Sequence, residues 1–556
     1  MGADMAAEEL WGRAWEEYLV SHAERRECYK NDIGHAIYPL YTPKDLEERG
    51  FTYDKDLGYP GFGPGTRGHN PSMNRSRNMW ASVYSGFGTV EDSKERYEKI
   101  AAWGADKLNM AWDLPSQVGY DSDHIMSTGE IGRTGIAVDT LRDLEILMED
   151  IPLNSLPAVS TLANSIGPVG LALFIALGEK QGLKPADFKI FLQNDPLKEY
   201  AARGTYIYPP QPAVRLACDT VQWCAENAPH WKPMQFCGNH LNAAGAGAAN
   251  ALAFAMSNGF VYINELKRRG LELEKIVPLC RLFVDEREDF FVMAALGRAA
   301  RKVWLQQMAK RYGADPDNMA VQIDLTAYGH GGETLQEPIN NVMRIGFAAL
   351  GYYLGGVTYM SNAGYDEAIG LANETTCKVS LRTSQIIDNE FGFSKTIDPL
   401  AGSYYVESLT MDICRDVNAQ IDYVDERFGG AMGALEYGYI QSTISKGAVR
   451  RQAEFESGER QFVGVNIFKT DEDPPRGAFK LSPDVAQRQL DRLKTVKAGR
   501  NNRRVEEALQ AVREAAGRCD NVVYSVLDAV REYATIGEIC AIWRELFGEY
   551  RSLTVY

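Results

Sequence analysis

Histidine is scarce in this sequence, seven residues in 556, so each is a countable candidate for proton or hydrogen-bond chemistry. His240 has the most suggestive neighbours. It follows an apolar run, Met234 to Asn239, and precedes the small-residue stretch AAGAGAANA, a strand-to-helix junction. An imidazole held there can donate a hydrogen bond to an oxygen on which negative charge develops. A lone buried histidine more often serves packing, and its immediate neighbours do not decide between the two. Other polar residues fall at the ends of apolar runs: Asp113, Thr161, Gln193, Asn194, Asn239, Asp285, Asp324 and Asn362. The nine cysteines contain no C-x-x-C pair and match no zinc or disulfide spacing. They read as reduced thiols of a cytoplasmic protein.

The elements that would position these residues are strands alternating with helices. Apolar runs at 107–114, 156–161, 188–193, 234–240, 279–284, 320–325 and 355–361 predict strands, and an amphipathic helix starts at Asp92. Seven visible strands, with an eighth expected near the start, predict an α/β fold, a (β/α)8 TIM barrel over 65–410. In such a barrel the polar strand ends would ring the C-terminal mouth, where this architecture carries its chemistry. An N-terminal arm or docking segment, 1–64, precedes it. Its first helix carries Leu10, Trp11, Ala14, Trp15, Tyr18 and Leu19 on one stripe, expected to dock on the body or on another chain. A mainly helical C-terminal region, 411–556, follows the barrel and includes a looser insert, FKTDEDPPRGAF.

Composition narrows the function. Hydrophobic residues make up 45% and charged residues 24%, proportions of a chain with a large core, and the net charge is −16. That sign argues against nucleic acid or an anionic membrane as the main partner. The acidic N-terminus does not read as a signal peptide, and the most apolar stretch, Leu156 to Leu177, is broken by Asn164, Ser165, Gly167, Pro168 and Gly170. No G-x-G-x-x-G or Walker loop follows a strand.

Six ordered segments carry a family resemblance. They are RGHNPSMNRSRNMWASVYSGFGTVEDS (67–93), WDLPSQVGYDSDH (112–124), LQNDPLKEYAARGTYIYPP (192–210), GNHLNAAGAG (238–247), NAGYDEAIG (362–370) and IDPLAGSYYVESLT (397–410). Together they resemble the large, substrate-binding subunit of adenosylcobalamin-dependent acyl-CoA mutases of the methylmalonyl-CoA mutase family. The resemblance implies a radical carbon-skeleton isomerase in which coenzyme A threads the barrel axis and the corrinoid covers the C-terminal mouth. It assigns Tyr84, Arg203 and His240 to catalysis, with His240 donating to the migrating thioester carbonyl. It assigns Asn70, Met73, Arg77, Gln193, Asn239 and Arg281 to substrate and CoA, and Trp112, Glu367, Ala368 and Gly370 to the cofactor. The family's Asp-x-His-x-x-Gly cobalt-ligand loop does not occur here, and none of the seven histidines sits in one. No metal ligand is therefore expected from this chain, and a small cobalamin-binding subunit is implied as partner. A reactivating G-protein chaperone belongs to the same implied set.

The resemblance also bears on the substrate. Arg203 aligns with an arginine that grips a free carboxylate, for which a planar guanidinium is suited. Isobutyryl- and 2-hydroxyisobutyryl-type mutases have glutamine there, and the latter carry an acid where this chain has Ala111. Asn70 and Asn239 stand where methylmalonyl enzymes have tyrosines. Phe283, Leu325, Ala327 and Ala243 replace polar lining residues, so a wider, more apolar pocket is expected. These positions together point to a bulky alkyl- or aryl-substituted succinyl-CoA, interconverted with a branched malonyl-type acyl-CoA. The alternatives are methylmalonyl-CoA itself, a monocarboxylic branched acyl-CoA, or a catalytically silent barrel that serves as a scaffold.

Overall fold

The computed structural model describes residues 2–26, 28–76, 80–471 and 481–552. Eight parallel strands alternate with helices: β1 (Trp80–Ser85), β2 (Lys107–Met110), β3 (Ala158–Leu162), β4 (Ile190–Gln193), β5 (Met234–Cys237), β6 (Cys280–Phe283), β7 (Asp324–Gly329) and β8 (Tyr359–Asn362). They pair in the order β4-β3-β2-β1-β8-β7-β6-β5. The remaining seam is closed one step before β5. There Leu192 N donates to Lys232 O at 2.9 Å and Lys232 N donates to Ile190 O at 3.0 Å. The chain is a (β/α)8 barrel, as the alternation predicts.

The strand missing from the sequence reading is β1, whose residues WASVYS mix polar and apolar types. β7 begins later than its apolar run suggests. Met319–Val321 forms a 3-10 turn under the Asn318 side chain, and Val321 drops into the outer core. The expected helix at Asp92 runs Val90–Ala102 and starts at Thr89, whose N–H donates to the Asp92 carboxylate at 2.9 Å.

Alternation along the strands sorts the residues into two environments. Outward-facing Val83, Leu108, Val159, Ile190, Leu192, Phe236, Leu282, Leu325 and Met360 join one continuous core with the surrounding helices. Inward-facing positions carry Ser82, Lys107, Asn109, Ser160, Gln235, Arg281, Thr326 and Ser361, where such barrels are commonly filled by branched aliphatics. This bore is therefore a polar channel rather than a packed core.

The C-terminal helices clasp the barrel. Tyr404–Phe428 lies along Phe290–Tyr312, and buried Arg298 is bound between the Asp398 and Glu407 carboxylates. Val485–Gly499 is tied to the barrel by Arg488 to Asp92 (2.7 Å) and Arg492 to Asp143 (3.0 Å). Val512, Ile536 and Trp543 extend the barrel's own core. The arm is held by His35 to Asp416 (2.6 Å) and Lys302 to Asp56 (2.5 Å). On its first helix, Gly2–Leu19, Leu10 and Tyr18 are exposed and Trp11 stacks on Trp15 of the same helix, so the stripe is not docked on the body among the described residues. The insert 468–479 lies largely outside the described residues.

Arg298→Met should leave two buried carboxylates short of their cation and cost about 3–5 kcal/mol. A denaturant titration should show this as a lowered midpoint. An unchanged midpoint would mean that the clasp does not depend on this ion cluster.

Candidate active site

A cavity of about 360 Å³ occupies the upper bore and opens at the C-terminal ends of the strands. Tyr84 on β1, Gln193 at the end of β4, Asn239 and His240 after β5, and Glu367 after β8 all line it. Below, Phe191 on β4 and Tyr359 on β8 meet edge to face, ring centroids 5.2 Å apart. These strands stand four apart in the ring of eight, so the two rings meet across the axis and close its N-terminal end.

His240 is the second residue of a short helix, Asn239–Ala243. Its Nδ1 lies 3.2 Å from the Lys198 ammonium, which also donates to Gln193 Oε1 at 2.9 Å and pairs with Glu199 at 2.7 Å. An ammonium can only donate, so Nδ1 must accept and the ring's proton sits on Nε2. Burial, then Lys198, Arg203 and Arg287, holds the imidazole well below its usual range. The result is a neutral Nε2–H donor in the cavity wall.

Arg203 does not join it there. Its guanidinium is bound to Glu199 Oε1 (3.3 Å), Thr205 Oγ1 (3.0 Å) and Gln117 Oε1 (2.8 Å), in a turn that ends at left-handed Gly204. It does not line the cavity, though its charge is felt at Tyr84 and His240. Burial raises the Tyr84 phenol to about 12, which keeps it protonated.

At the mouth, burial and the facing Glu333 carboxylate raise Glu367 to about 7, even though its side chain keeps contact with solvent. Beside it His330 Nε2 meets Asp285 Oδ1 at 3.0 Å, and Asp285 also accepts from Asn242 Nδ2 at 3.0 Å. Burial alone would raise Asp285, but His330 and Arg287 outweigh it and lower it.

The other expected residues divide. Gln193, Asn239 and Arg281 line the cavity, as do Phe283, Ala327 and Ala243. Trp112 does not: it is fully buried against Phe174, because the strand's outward face packs on the helix Gly167–Lys180. Leu325 faces the same outer core. Asn70 lies beneath the closed floor, where its Oδ1 accepts from Met73 N at 2.7 Å. Met73 belongs to a separate crevice with Arg67 and Tyr353. Ala368 and Gly370 form an exposed rim beside Glu367, and Arg77 lies outside the described residues. Sequence reasoning passed over Lys198, Glu199, Lys107, Tyr328, Arg287 and Glu333. Only the first pair carried a signal, a Lys-Glu doublet directly after a strand in LQNDPLKEY.

Comparison with known proteins places these features in context. The family model described as methylmalonyl-CoA mutase matches residues 30–549. Methylmalonyl-CoA mutase of Escherichia coli (strain K12) is 33% identical over 543 residues, 96% of this chain and 75% of that protein. The 2-hydroxyisobutanoyl-CoA mutase large subunit of Aquincola tertiaricarbonis is 34% identical over 544 residues, 97% of this chain and 95% of that one. The methylmalonyl-CoA mutase large subunit of Streptomyces virginiae is 32% identical over 559 residues, 99% of this chain and 75% of its own.

A carboxyl raised to about 7 when folded, against 4.5 otherwise, opposes folding as pH climbs between those values. The penalty is full above the higher value and absent below the lower one. Glu367→Gln should therefore raise Tm at pH 8, with the gain vanishing by about pH 4.5. Equal gains at both pH values would place this carboxyl in an ordinary aqueous setting.

Proposed function

The chain belongs to the methylmalonyl-CoA mutase family and is an adenosylcobalamin-dependent acyl-CoA mutase, and we propose that it isomerises a carboxylated, substituted acyl-CoA of the succinyl type. The observation that carries the reading is the Lys198-fixed tautomer of His240, a neutral donor aimed into an enclosed cavity. A thioester carbonyl gains charge on oxygen as its carbon migrates, and a preorganised N–H lowers that barrier. Tyr84, protonated and in the same wall, packs a phenol face beside the reacting carbon. The closed floor excludes water from one side of a radical intermediate.

The residues at the mouth fit the cofactor. Glu367 offers carboxylate oxygens suited to ribose hydroxyls, Asn239 Oδ1 is buried without a hydrogen-bond partner among the described residues, and Ala368 and Gly370 leave an exposed rim. Bound adenosylcobalamin supplies the initiating carbon radical. Its cobalt ligand we assign to a separate small cobalamin-binding subunit, a reading supported by the 95% coverage of a relative named as a large subunit.

Phe283, Ala327 and Ala243 make one side of the cavity apolar, Leu162 on β3 adds an apolar group opposite Ala327, and Asn239 adds room. An alkyl or aryl substituent buried there would gain about 2–3 kcal/mol. This supports a bulky substituted succinyl-CoA over methylmalonyl-CoA itself.

Reconstituted with its cobalamin-binding subunit, the enzyme should turn over a bulky alkyl- or arylsuccinyl-CoA faster than succinyl-CoA. Asn239→Tyr should reverse that order, whereas Asn70→Tyr, beneath the floor, should not. A wild type that prefers isobutyryl-CoA would sink the substrate reading.

His240→Ala should lower kcat about 10²–10³-fold with little change in CoA binding. Lys198→Met should act through His240: with the ammonium gone the imidazole protonates more readily, and the acidic limb of the kcat profile should move to higher pH. An unmoved limb would remove Lys198 from this role.

A further inference from the structure

A buried ammonium stands behind the cavity wall. The three N–H groups of Lys198 meet three acceptors: Glu199 Oε1 at 2.7 Å, Gln193 Oε1 at 2.9 Å and His240 Nδ1 at 3.2 Å. Because an ammonium can only donate, it turns the accepting end of each neighbour toward itself. His240 is left with its proton on Nε2. The Gln193 amide is set the same way, and Asn164 reinforces the setting. Asn164 Oδ1 accepts from Asp195 N at 3.0 Å, so its Nδ2 donates to Gln193 Oε1 at 3.2 Å. Gln193 and His240 both line the cavity, and each keeps a donating Nε2 for the lumen.

This arrangement needs a counter-charge. A buried cation without one gives up its proton, and a neutral amine both donates and accepts, so it fixes neither neighbour. Among the described residues Lys198 pairs with one carboxylate, Glu199, whose side chain is fully enclosed. Asp195 is taken instead by Cys237 N (2.9 Å) and the Tyr262 hydroxyl (2.7 Å), and burial pushes it up to about 6. Burial would raise Glu199 as well, but Lys198 and Arg203 outweigh it and lower it. The carboxylate is itself held in place: Oε1 also takes Arg203 at 3.3 Å, and Oε2 accepts from Thr205 N at 3.1 Å.

We propose that Glu199 is a positioning residue of this active site, which by pairing Lys198 presets His240 and Gln193 as N–H donors toward the lumen. The assignment rests on the reading of His240 as donor to the thioester carbonyl. Neither Lys198 nor Glu199 lines the cavity, so both act through the side chains that do. Donors set in advance need no reorganisation when charge develops on the substrate oxygen.

Nitrogen NMR of the histidine-labelled full chain, without cobalamin or partner, reads the His240 tautomer, and turnover of the reconstituted enzyme reads kcat. The wild type should show the Nε2–H form. Glu199→Gln should give a mixture of tautomers and lower kcat about 10–100-fold, beneath the ceiling of about 10²–10³ set by losing the donor altogether. Glu199→Asp, which keeps the charge, should hold the wild-type tautomer, and this separates loss of pairing from loss of fold. Added to Lys198→Met, Glu199→Gln should cost no further kcat, because it acts through a side chain already gone. That double variant also removes both charges together, so it decides the matter even where a lone buried cation prevents folding. An unmoved tautomer in folded Glu199→Gln, a lost one in Glu199→Asp, or a further drop beyond about three-fold in the double variant would overturn the proposal. A shifted tautomer with unchanged kcat would support it and sink the reading of His240 as the carbonyl donor.

Discussion

Polar groups taken out of water must be paired, and in this protein that requirement falls on the inside of a barrel. The inward faces of its strands carry serine, asparagine, glutamine, lysine and arginine, so the bore cannot supply the aliphatic packing that usually holds such a barrel together. Cohesion comes instead from the outer shell. Every strand turns an apolar residue outward, and the C-terminal helices extend that core and clasp it through Arg298, Arg488 and Arg492. A rigid outside permits a reactive inside.

Within the bore, each buried charge is answered in a different way. Lys198 is answered by Glu199, and the same ammonium fixes the tautomer of His240. Glu199 in turn holds Arg203, which reaches across to Gln117 and through it to the Trp112 carbonyl. One hydrogen-bonded chain thus runs from the His240 imidazole to the Trp112 carbonyl just past β2. Asp324 is answered twice, by Lys232 and His69, and burial there is outweighed so that its carboxyl lies well below the usual range. Lys107 and Arg281 rest against the Phe191 ring, at 5.7 and 4.6 Å from its centroid.

The two ends of the bore are accordingly unlike. The lower end is shut by aromatic rings and backed by an ion cluster; the upper end is ringed by Glu333, Glu367 and the His330–Asp285 pair. Phe283, Ala327 and Ala243 give the cavity an apolar side wall that carries no charge.

Much of this was legible in sequence. Alternating apolar runs specified the barrel because a parallel strand buried on its outer face must carry hydrophobic residues at every second position. Ordered local segments around Tyr84, Arg203, His240 and Glu367 specified the family, since residues at strand ends keep their neighbours wherever the strand lies. Local patterns could not say which side of a short strand faces the bore, so Trp112 and Leu325 went to the wrong side. Nor could they say that Phe191 and Tyr359, 168 positions apart, would meet across the axis. Contacts between opposite strands exist only once the sheet closes. The Phe191–Tyr359 contact and the tautomer of His240 are products of that closure, because each depends on distances between strands that no spacing along the chain encodes.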